Sequence, residues 1–129
     1  MHLHRIQVEY ELREKLVLLR QRAVLATGDQ GQSGKLMVQS VSSFATLFRH
    51  ALIALGHAAP DGKREAVDAL AAHVGFDATP IRQLLDVREH KTNPKDMNVA
   101  ELFASYLRVI EQVAKAVDEA LSGDSPAQS

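Results

Sequence analysis

The chain has 129 residues, 46% hydrophobic and 24% charged, a balance that suits one folded domain with its own core rather than a disordered segment. A formal net charge of -1 and a pI of about 6.6 speak against a domain that holds nucleic acid through a general affinity for phosphates. Without cysteine there is no disulfide and no thiolate metal site; no apolar run reaches the ~18 residues of a membrane span, and the charged start lacks a signal peptide's apolar stretch, so the sequence points to the cytoplasm.

The apolar spacing predicts an all-α protein, an antiparallel helical bundle of about five helices, three long and two short. Residues 1–121 form its single domain and 122–129 a disordered tail. The first helix runs from about Leu3 to Ala26 and carries two apolar seams. Leu12, Leu16, Leu19, Ala23 and Ala26 make one; Leu3, Ile6, Tyr10, Val17 and Val24 make the other, about a third of a turn away. One seam packs on the rest of the bundle. The second needs a partner: a second subunit, a neighbouring domain, or a deeper place in the same bundle. Arg5, Glu9 and Arg13 stand at ion-pair spacing among these seams.

"TGDQGQSG" then reads as a flexible loop, because it holds three glycines with polar spacers. The second helix begins near Lys35 and stops at Gly56. Asp61 caps a third, about 62–74, with Gly75 just past its end where a left-handed backbone is cheap only for glycine. Thr79 and Pro80 read as cap and first residue of a short fourth helix that ends near His90. "KTNPKD" breaks the chain, and Asn98 with Glu101 forms a capping box for the fifth helix, which reaches about Leu121. Its stripe is Val99, Phe103, Tyr106, Leu107, Ile110, Ala114, Val117 and Leu121; Phe44, Phe48, Leu52, Phe103, Leu107 and Ile110 are expected to share one core.

Within the second helix, "FATLFRHALIALG" sets Arg49 and His50 in the middle of an apolar run. On a helical wheel Val41, Phe44, Phe48, Ala51, Leu52 and Leu55 face the core, Arg49 lies at the edge, and His50 points away beside Thr46, Ile53 and His57. Three readings stand. Arg49 lays its stem on apolar neighbours and keeps its charge in water; or Thr46, Arg49, His50 and Ile53 line a groove for an anionic or polar ligand; or this face meets another domain. His50 and His57 are too far apart on a helix to share one metal ion, and His73 is expected to interact with its own helix end. No metal site, no cofactor and no catalytic residue is expected: there is no glycine-rich phosphate loop, no G-x-S-x-G elbow and no nucleophile with a partnered base.

Four stretches, "ELREKLVLLRQRAVLATGD", "SVSSFATLFRHALIALG", "AVDALAAHVGFD" and "ELFASYLRVIEQVAKAVDEAL", together resemble the C-terminal helical domain of bacterial nucleotidyltransferases of the polymerase-β-like superfamily. The family's catalytic motif, a Gly-Ser pair followed by a metal-binding Asp-x-Asp, is absent from this chain, so the resemblance carries over no catalytic residue. It implies a non-catalytic accessory domain that contributes substrate binding or packs on a nucleotidyltransferase catalytic domain, in cis or in trans. The helical HEPN ribonucleases share a bundle fold, but the seven residues between Arg49 and His57, and between Arg82 and His90, are longer than that family's Arg-to-His spacing. The other class of reading is a stand-alone interaction module that forms a homodimer through the second seam of the first helix. Neither reading involves a membrane.

Overall fold

Five helices follow one another in the computed structural model, which describes residues 2–25, 28–91 and 98–123. They are α1 (His2–Leu25), α2 (Gln30–Ala54), α3 (Lys63–Val74), α4 (Thr79–Arg88) and α5 (Val99–Gly123), with no strand among the described residues. The architecture is the all-α bundle expected, three long helices and two short ones. α5 extends past the expected end at Leu121 into the expected tail, and 124–129, with Ala26 and most of "KTNPKD", lie outside the described residues.

The largest correction concerns the start of α2. The glycine-rich stretch expected as a loop supplies its first turns, because Asp29 is a working N-cap. The Asp29 carboxylate accepts the backbone N–H of Gln32 at 3.0 Å, and Ser33 N–H donates to the Asp29 carbonyl. Gly31 and Gly34 each weaken a helix by about 1 kcal/mol relative to alanine. Gly34 is buried.

At the other end of α2, Gly56 takes the left-handed conformation (φ 93°). Its N–H donates to the carbonyl of Ile53 and that of His57 to Leu52, the paired bonds of a Schellman motif. Asp61 does not cap α3; Gly62 holds that place and makes no side-chain bond, while Gly75 is left-handed as expected. Thr79 is the first residue of α4 and Ala78 its N-cap, without a side-chain cap bond; ahead of it the Asp77 carboxylate accepts both the N–H and the hydroxyl of Thr79, and these two bonds hold its pKa below the usual value. α4 ends at Arg88, short of His90, which takes a positive φ of 61° in a second Schellman turn. Before α5, Asn98 accepts the Glu101 N–H at 3.3 Å, one half of the expected capping box.

α2 is the helix around which the others gather; it packs against all four. Met37, Val41, Phe44, Ala45, Leu47, Phe48, Ala51, Leu52 and Ala54 are buried, and at helical spacing they cover about half of its circumference. Arg13 pairs with Asp118 and Arg20 with Glu111, so α1 runs antiparallel to α5. The short connection from α1 makes α2 antiparallel to α1 as well, which leaves α2 and α5 running the same way. The two short helices carry the chain back between them.

The stripe of α5 is turned from the expected one. Leu102, Tyr106, Val109, Val113 and Val117 are its buried centre, while Phe103 and Leu107 are half-buried at the edge. Both flanks of the pattern are apolar, and simultaneous contact with α1 and α2 selects the centre. Phe44, Phe48, Leu52 and Ile110 are in the core as expected; Phe48 also meets Phe76 edge-on at 5.9 Å, tying the turn between α3 and α4 to α2. Phe48→Ala should therefore cost about 3–5 kcal/mol in urea unfolding and Phe103→Ala less than half as much. Equal costs would contradict this placement.

Candidate functional site

Two surfaces collect the residues singled out by sequence. The first is the outer face of α1. Leu12, Leu16 and Leu19 of the first seam are buried against the bundle together with Val8, while Ala23 is half-buried. The second seam turns outward: Ile6, Tyr10, Val17 and Val24 are exposed, Tyr10 by 65% and Val24 by 72%. Leu18 and Leu25 widen the same face, and sequence reasoning missed both. Leu3 is on α1, but its side chain lies outside those described. The deeper place in the bundle, one of the alternatives for this seam, belongs to α2 instead.

The second surface is a groove of about 640 Å³ between α1 and α2. Tyr10, Glu14 and Lys15 form one wall, Ser42, Thr46 and His50 the other. Thr46 and His50 thus share a surface, as the wheel suggested. Arg49 and Ile53 are not among its lining. Arg49 is half-buried and its Nε donates to the carbonyl of Pro60 at 3.0 Å, which fastens the loop after α2. The Thr46 hydroxyl donates to the Ser42 carbonyl at 3.1 Å. Glu11 and Glu14 stand beside the one lysine of its lining, Lys15, so it offers no basic field to an anion. Among the described residues no group of three or more His, Asp or Glu side chains could hold a metal ion.

Three contacts were not read from the sequence. Arg64 bridges Asp86 and Glu89, joining α3 to the end of α4, and its hydrogen bond holds the Glu89 carboxyl below the usual range. His57, just past α2, stands against His73 in the last turn of α3, with Nε2 atoms 2.8 Å apart. Tyr106 is fully buried, edge-on to Phe44, with its hydroxyl 2.7 Å from Ser40 Oγ. Ser40 gives its one proton to the Met37 carbonyl, so the tyrosine is the donor. None of these pairs has a fixed sequence spacing; each depends on how helices meet.

No protein-family model, no curated protein and no solved structure matches the chain. No helix among the described residues is long and apolar enough to cross a membrane.

Burial raises the pKa of Tyr106 well above the ordinary value of 10.0. An acid whose folded pKa is raised contributes stability below its unfolded pKa and loses it as pH rises beyond. In a Tyr10→Phe background, where Tyr106 is the sole tyrosine, phenolate absorbance should appear only with loss of helical circular dichroism. The stability lost above about pH 10 should shrink in Tyr106→Phe. Ionisation with the helices intact would contradict the burial of this ring.

Proposed function

We propose that the chain is a non-catalytic helical accessory module that docks through the outer face of α1. The observation that carries this reading is the row Ile6, Tyr10, Val17 and Val24, exposed along one helix of a bundle whose other apolar stripes are covered. Fully burying a side chain of this size gains roughly 1.5–3 kcal/mol, so the row is a strong drive toward association even after the entropic cost of binding. The resemblance supplies the partner class, a nucleotidyltransferase catalytic domain in cis or in trans. The groove holding Thr46 and His50 opens beside the same face through Tyr10, where it would lie at the edge of such a contact and could meet substrate.

A second copy of the chain is the occupant when that catalytic domain is absent. Turning one α1 against another so that Tyr10 stands level with Val17 also sets Leu3 level with Val24 and Arg13 level with Glu14, each pair occurring twice. The polar break in the row is thereby matched by opposite charges. Sedimentation at tens of micromolar, on the order of the affinities such faces reach, should give a dimer for the wild type and a folded monomer for Tyr10→Glu with Val17→Glu. A monomeric wild type would overturn self-association. A catalytic domain that binds the wild type and the double variant equally would overturn the docking face itself.

A further inference from the structure

We propose that His57 and His73 form a two-imidazole site for a divalent transition cation of zinc-like softness. His57 is the residue after the left-handed Gly56, and its own N–H completes the Schellman turn on Leu52, so its backbone is fixed. His73 sits in the last turn of α3, whose end is fixed by left-handed Gly75. Two rigid helix ends therefore present the two rings to each other.

The two rings meet at their nitrogens. The Nε2 atoms are 2.8 Å apart and the ring centres only 3.8 Å apart, at 62° between planes. The rings meet edge-on, and a cation bound by both Nε2 atoms would replace the hydrogen bond between them.

Zinc–imidazole bonds are about 2.0–2.1 Å long, so two nitrogens in adjacent coordination positions stand roughly 3 Å apart, close to the separation found. Water completes the shell, because both rings are exposed and no third donor stands with them among the described residues. Imidazole suits zinc, copper and nickel and disfavours magnesium and calcium, which select oxygen. A cation there ties the end of α2 to the end of α3.

The experiment is calorimetric titration of the full chain with zinc chloride alone, with magnesium chloride as control. The wild type should bind one zinc ion that His57→Ala and His73→Ala each weaken by about tenfold or more, while His50→Ala and His90→Ala leave it unchanged. The imidazole signals of His57 and His73 should shift together in NMR during the titration. Equal zinc affinity in the wild type and both single variants, or no binding below about 1 mM, overturns the proposal. So does a shift of one ring without the other.

Discussion

The burial of α2 over about half of its circumference is the constraint on which the rest of the structure depends. A helix covered that widely needs neighbours on several sides, and the other four supply them. Alanines at 45, 51 and 54 alternate with Phe44, Phe48 and Leu52, so large side chains interlock while backbones come close. The ends of α2 are held without help from its core: Asp29 binds the first turn, and the Gly56 turn with the Arg49–Pro60 bond closes the last.

Everything placed by α2 is placed once. Tyr106 reaches Ser40 and fixes the height of α5 beside it. The ion pairs of Arg13 and Arg20 then align α1 with α5, although such exposed pairs give register more than energy. α1 spends one seam on this position and has no further helix to meet with the other. The outward row from Ile6 to Val24 is thus a consequence of the bundle's geometry: four helices gathered on α2 leave α1 at the rim. No buried polar side chain among the described residues competes with this packing.

The helices themselves were legible because their apolar residues repeat at helical spacing over long runs, and both seams of α1 were readable for the same reason. The start of α2 was not, since glycines at 31 and 34 carry a loop signal that a single carboxylate at Asp29 overrides. α5 was rotated because Leu102 and Phe103 are both apolar, and only its neighbours decide which one turns inward. At the candidate site the wheel correctly joined Thr46 to His50, while the reach of Arg49 to Pro60 depended on a loop path that no pattern encodes. The pairing of His57 with His73 lies further beyond sequence, because it is set by the angle at which α3 returns across α2.

Native-state hydrogen exchange across the five helices tests the central place of α2 most directly. If the fold is organised on this helix, amides from Phe44 to Leu52 exchange most slowly, through global unfolding alone, while the outward turns of α1 open at lower cost. Faster exchange in that stretch of α2 than in α1 or α5, under conditions where the bundle stays folded, would contradict the account.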